Sequence, residues 1–155
     1  FFPETYNNLG VALAEKKKYS LALNNYNKAI NLKVDYVDAY LNRGISFIKL
    51  LKYDEAISDF NIVISKDPYN SKAYNSLGNA FTGLEKYDQA IASFEKAIKI
   101  NPKLPDTYCN LSLLYMNGSK RPFFAPHRPL VAGTCTVPET KFPEINQTQS
   151  EKLRE

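Results

Sequence analysis

The sequence predicts an all-α fold, a solenoid of antiparallel helix pairs with three full repeats, one further helix and an irregular C-terminal tail. Three observations predict it. Residue types recur every 34 positions: Tyr6, Tyr40, Tyr74 and Tyr108; Gly10, Gly44 and Gly78; Ala22, Ala56 and Ala90; and the aromatics Tyr26, Phe60 and Phe94. Within each period, apolar and small residues fall at helical rather than alternating spacing. Two of the periods close on Asp67-Pro68 and Asn101-Pro102, where proline removes an amide donor and disfavours helix in the residue before it.

Taken in order, the full repeats span 3–36, 37–70 and 71–104, and each reads as two helices. The inner turns fall at Lys18-Tyr19-Ser20, Lys52-Tyr53-Asp54 and Glu85-Lys86-Tyr87-Asp88. In the third repeat Leu77, Gly78 and Phe81 share a face of the first helix, while Ala90, Phe94 and Ala97 share a face of the second. Gly78 and Ala90 lack bulk, so the backbones are expected to approach there, with Tyr74, Phe81 and Phe94 filling the flanks. The first repeat carries Val34 at the proline position, which leaves its outer turn less sharply specified.

Residues 105–117 continue the first-helix pattern with Tyr108, Leu111 and Tyr115, and Ser112 replaces the glycine. No second helix follows, because Phe124 and Arg128 occupy its small and aromatic positions and Pro122, Pro126 and Pro129 interrupt it. Leu113, Leu114 and Met116 are therefore expected to lack a covering helix, with Phe123, Phe124, Leu130 and Val131 the nearest apolar candidates. The folded domain is set at 3–118 and the tail at 119–155. Five of the nine prolines and none of the tyrosines lie in that tail, which fits either a natural disordered segment or a junction with unrelated sequence.

The run Tyr74, Leu77, Gly78, Phe81, Ala90, Phe94, Ala97 and Pro102 is similar to the tetratricopeptide-repeat (TPR) pattern, with Tyr in place of the usual Trp. The resemblance implies a superhelix whose first helices line a concave surface on which extended peptides lie. Just before the Leu-Gly pair that surface would carry Asn8, Asn42, Ser76 and Asn110, one per repeat, flanked by Asn7, Asn75 and Asn79. An amide offers a donor and an acceptor, so such a column suits peptide-backbone groups. It resembles the asparagine ladder of O-linked N-acetylglucosamine transferases, with Ser76 as the departure. Asparagine is also frequent at outer positions such as Asn24, Asn27 and Asn31, so composition alone competes as its explanation. Of the five residues with which TPR domains clamp chaperone C-termini, only Asn42 and Lys72 are kept, while Asn7, Val11 and Ser76 stand at the other three. That loss argues against a receptor for a terminal carboxylate, which needs charge-assisted bonds.

The remaining composition points away from chemistry. Twenty Lys and Arg against 16 Asp and Glu leave a formal charge of +4, too mixed for a nucleic-acid partner. No apolar run approaches a membrane span, and no secretory segment opens the chain. Cys109 and Cys135 lack metal-ligand spacing and read as two thiols in a reducing compartment, with cytoplasm the default. His127 has no acid or nucleophile beside it. Gly78 to Gly83 has the spacing of a phosphate loop, but Leu84 and Glu85 replace the Lys and Ser/Thr it needs. Asp54, Glu55, Asp59 and Asp88 read as solvated or dipole-favoured carboxylates, and Lys16-Lys17-Lys18 as a solvated turn. Three Asn-X-Ser/Thr triplets, at Asn110, Asn117 and Asn146, are expected to carry no glycan. The chain starts at Phe1 and its one Met is Met116, as expected of a piece of something longer. The expectation is a non-enzymatic, cofactor-free and metal-free module that binds an extended protein segment. The alternatives are the substrate-recruiting arm of a larger enzyme, such as a glycosyltransferase, and a solenoid that self-associates through its last helix.

Overall fold

The computed structural model of the chain describes residues 2–116. Among these it contains seven α-helices and no strand: α1 Pro3–Glu15, α2 Tyr19–Leu32, α3 Val37–Lys49, α4 Tyr53–Lys66, α5 Ser71–Gly83, α6 Tyr87–Ile100 and α7 Pro105–Met116. Residues 117–155, with the expected docking residues Phe123, Phe124, Leu130 and Val131, lie outside the described residues. Each helix packs on the next along the chain, and α1 also touches α3 as α3 touches α5. The second helices α2, α4 and α6 make no comparable contact with one another. The layer of first helices is thus the tighter one, which makes it the concave side of the stack.

Within a pair, each repeat glycine faces the repeat aromatic. A Cβ on Gly10 would sit 2.5 Å from the Tyr26 ring, on Gly44 2.6 Å from Phe60, and on Gly78 2.5 Å from Phe94. The ring of Phe94, rather than Ala90, therefore fills the space in front of Gly78. The small residue lets a helix backbone lie flat on an aromatic face, and no methyl group fits between. Ala90 lies fully buried beside Phe94 and Leu114.

The inner turns come slightly earlier than the sequence suggests, because Tyr19, Tyr53 and Tyr87 already open helices. Each is a Schellman closure. Lys18 donates its amide to Leu13 O and Lys17 to Ala14 O, and the same two bonds recur from Lys52 and Leu51 and from Lys86 and Glu85. The left-handed residue in each is not glycine but Lys17, Leu51 or Glu85, at φ 58°, 60° and 59°. In the second outer turn, Asp67 accepts from Asn70 N–H and Asn70 Nδ2, and Asn70 Oδ1 caps α5 by accepting from Ala73 N–H at 3.0 Å. The first outer turn closes without proline, since Tyr36 N–H donates to Lys33 O at 3.1 Å as Asn70 N–H does to Asp67 O at 3.2 Å.

On α7 the expectation for the open face is corrected. Leu114 is 4% exposed against Ala90 and Phe94, whereas Leu113 is 56% exposed. One residue of offset turns a helical side chain by about 100°, enough to take Leu113 off the face that buries Leu114. Cys109 is disulfide-bonded, against the expectation of two free thiols, and its partner lies outside the described residues.

Candidate functional site

The first-helix layer brings together most of the expected site residues, and it does so by bonding them to one another. Asn42 on α3 donates Nδ2–H to Asn7 Oδ1 on α1 at 3.0 Å, and Asn7 is buried and also bonded to the Tyr36 hydroxyl. On the other side of the stack Asn110 donates to Asn79 Oδ1 at 2.9 Å, and the Thr107 hydroxyl donates to Asn75 Oδ1 at 2.9 Å. Asn7, Asn75 and Asn79 act as acceptors between first helices, tying α1 to α3 and α5 to α7. Asn42 and Asn110 each use one amide N–H in these bonds and keep the second, so the ladder keeps capacity for a ligand.

Two members of the expected column differ. Asn8 on α1 is exposed, having no earlier helix among the described residues to reach back to. Ser76 on α5 is buried, and the α3 positions opposite that repeat hold Leu41 and Ile45 instead of amides. Lys72 is exposed at the start of α5. The concave surface therefore alternates: amide bridges between α1 and α3 and between α5 and α7, and an apolar α3 surface of Leu41, Ile45 and Ile48 between them.

A pocket of about 260 Å³ opens between the first two repeats, walled by Val11, Ala14, Glu15, Tyr19, Tyr26, Asn42, Ile45, Ser46 and Lys49. Burial raises the Tyr26 hydroxyl pKa above its ordinary value, with a smaller push from the Glu15 carboxylate, while the hydrogen bond to Ser46 opposes both.

The site that sequence reasoning missed is Arg43. It occupies the repeat position of Leu9, Leu77 and Leu111, yet it carries a guanidinium into the packing between repeats. Its Nε and Nη2 donate to the two oxygens of Asp59 at 2.8 and 2.6 Å, and Nη1 donates to Asn27 Oδ1 at 2.7 Å. The group also stacks over Tyr40, 5.2 Å from the ring centre. Asp59, read from the sequence as solvated, is 2% exposed. The hydrogen bond to Asp59 raises the Arg43 pKa further, against the opposing effect of burial, so the guanidinium keeps its charge. A break in the repeat pattern, Arg in a Leu column with Asp 16 residues on, was the signal available.

Among the described residues no group of three or more His, Cys, Asp or Glu could hold a metal ion, and no helix is long and apolar enough to cross a membrane. What the fold and its concave layer define is a helical-repeat interaction module. Tetratricopeptide-repeat profiles match residues 71–104 and 38–68, and a TPR-repeat profile matches 10–50. The chain belongs to the tetratricopeptide-repeat family. It is similar to the TPR domain of OM64 from Arabidopsis, 28% identical with a TM-score of 0.71 over 74% of this chain and 94% of that one. The second TPR domain of human RPAP3, solved with the HSP70 peptide SGPTIEEVD, is 26% identical with a TM-score of 0.67 over 73% of this chain and 98% of that one. MamA from Desulfovibrio magneticus RS-1 is 25% identical with a TM-score of 0.69 over 74% of this chain and 65% of that one. No curated protein matches the chain in sequence.

Proposed function

We propose that the chain binds an extended peptide or protein segment along the layer of its first helices, acting by recognition and not by catalysis. The observation that carries this is the composition of that layer: amides with unused hydrogen-bonding capacity at Asn8, Asn42 and Asn110, set beside partly exposed aliphatic side chains on α3. Such a surface offers backbone pairing and apolar contact together. The peptide complex of the RPAP3 domain supports the mode of binding.

The same relative does not carry over its ligand. Of the positions with which TPR domains clamp a terminal carboxylate, Asn7 here is buried and bonded to Asn42, Val11 is apolar, and Ser76 is buried and neutral. Lys72 is left as the sole cation of that set. The reading therefore favours an internal segment over an acidic C-terminus. As for compartment, the disulfide at Cys109 removes the support that free thiols would have given a reducing cytosol.

The test is to select peptides from a random display library on the full chain and titrate them against variants. Asn8→Ala is expected to weaken binding by about 0.5–1.5 kcal/mol, the net worth of one hydrogen bond, with stability unchanged. Asn24→Ala, on a second helix, is expected to leave affinity alone. Equal losses from both would refute the concave site.

A further inference from the structure

We infer that the chain caps the open end of its own helix stack: residues 117–134 return across the end face of α7 and are stapled there by a disulfide between Cys109 and Cys135. The occupant of that face is a segment of this chain, in the place where a further repeat would set its first helix.

Register gives the direction. Cys109 stands at the repeat position of Asn7, Leu41 and Asn75, and each of these reaches toward the next first helix in the stack. Asn7 accepts from Asn42 on α3, Leu41 packs on the cluster that holds Leu77 and Ala80 of α5, and Asn75 accepts from Thr107 on α7. One turn further along α5, Asn79 likewise accepts from Asn110. Its counterpart on α7 is Leu113, four residues from Cys109 and so on the same face. Cys109 and Leu113 therefore point off the end of the stack, where no helix follows among the described residues. Leu113 is an exposed aliphatic group there, and beside it the Cys109 sulfur is bonded.

Composition names the partner sulfur. The sequence contains two cysteines, so the bond made by Cys109 runs to Cys135, 26 positions on. Joining them takes two protons and two electrons from the two thiols, which a small-molecule disulfide accepts as it becomes two thiols. Chain length allows the return. From Cys109 to the end of α7 at Met116 the helix rises only about 10 Å, and an extended segment of the length of 117–134 spans several times that. The segment carries Phe123, Phe124, Leu130 and Val131, apolar groups to set against Leu113. It also carries Pro122, Pro126 and Pro129, which bring no amide N–H for burial to leave unpaired. A solenoid needs its terminal face covered, and a staple that closes a loop lowers the entropy of the unfolded chain, which lessens the cost of holding the cover in place.

The experiment refolds the full chain in reduced and oxidised glutathione, blocks free thiols with iodoacetamide in denaturant, and digests with trypsin, which cuts at Lys120 between the two cysteines. Without reductant, mass spectrometry should find the peptides carrying Cys109 and Cys135 joined, in protein that runs as a monomer. Amide exchange then compares this oxidised chain with Cys135→Ser and with the pair Phe123→Ser and Phe124→Ser. Loss of the staple should speed exchange in α7 about tenfold or more, with α3 to α5 unchanged. The serine pair, its disulfide intact, should speed α7 by a smaller factor. Two alkylated thiols in the oxidised monomer overturn the staple. A disulfide-linked dimer makes a second copy the occupant and overturns the proposal. Joined peptides in a chain whose α7 exchange ignores the serine pair overturn the cap, because the segment is then tethered without covering the helix.

Discussion

At position 43 the chain places a guanidinium where its other repeats place leucine, and the change is matched across the helix pair. The third repeat carries Leu77 with Ser93, and the second carries Arg43 with Asp59 at the same two positions. Removing one member of a buried pair strands the other charge, at a cost of about 3–5 kcal/mol, whereas replacing both with a well-packed neutral couple is close to neutral. Arg43→Leu alone should therefore lower the urea midpoint sharply, because Asp59 is left buried beside apolar neighbours. Arg43→Leu with Asp59→Ser, which copies the third repeat, should recover most of the loss. A double variant no more stable than the single one would show that the ion pair is not what holds this junction. The residue scale also explains why the asparagines are a poor marker of ligand contact taken singly. Asn42 is bonded to buried Asn7, so Asn42→Ala is expected to cost stability as well as affinity.

Helix pairs are closed by a repeated device whose backbone is more regular than its sequence. All three inner turns put their second residue in the left-handed region, and none of these residues is glycine. A Cβ in that conformation crowds the carbonyl, at about 1–2 kcal/mol, and part of this returns as the lower entropy cost of fixing a residue other than glycine. Leu51 is 72% exposed, so its side chain contributes little packing to offset the strain. Leu51→Gly is thus expected to raise stability by about 0.5–1 kcal/mol, read as a higher urea midpoint at constant slope. Destabilisation of that size would mean that Leu51 makes contacts the exposure does not reveal. The turns escaped sequence reading because glycine is the usual sign of a left-handed residue, and its absence at Lys17, Leu51 and Glu85 hides the conformation.

Among the described residues the helices pack on their neighbours along the chain and first helices touch neighbouring first helices, so stability is a sum of repeat and interface contributions along one axis. Each of α2 to α6 packs on the helix before it and on the helix after it, and α3 touches both α1 and α5 besides, whereas α1 has no earlier helix among the described residues. The same repeat positions show it: Ala39, Ala73 and Thr107 are fully buried, whereas Thr5 in the first repeat is exposed, and Leu77 is 7% exposed where Leu9 is 49%. Native-state hydrogen exchange should give the slowest amides in α3 to α5 and faster exchange in α1. Uniform protection from α1 to α6 would instead show one cooperative unit. The same open edge explains why Asn8 is solvated while Asn42 and Asn110, each with an earlier first helix beside it, are bonded.

The sequence by itself determined the repeat: its period, the pairing of helices, and the aromatic and small residues of the core. These follow from local rules, since a 34-residue period and helical spacing need only one dimension to be seen. Tertiary structure decided what lies opposite what. That the space before Gly78 belongs to Phe94, that Asp59 is buried on Arg43, that Leu114 faces in and Leu113 out, and that Asn7, Asn75 and Asn79 bridge first helices all depend on residues 16 to 35 positions apart meeting at a fixed angle. The pocket beside Ala14 depends on the same meeting, because a cavity belongs to no single helix and exists only where three helices leave it unfilled.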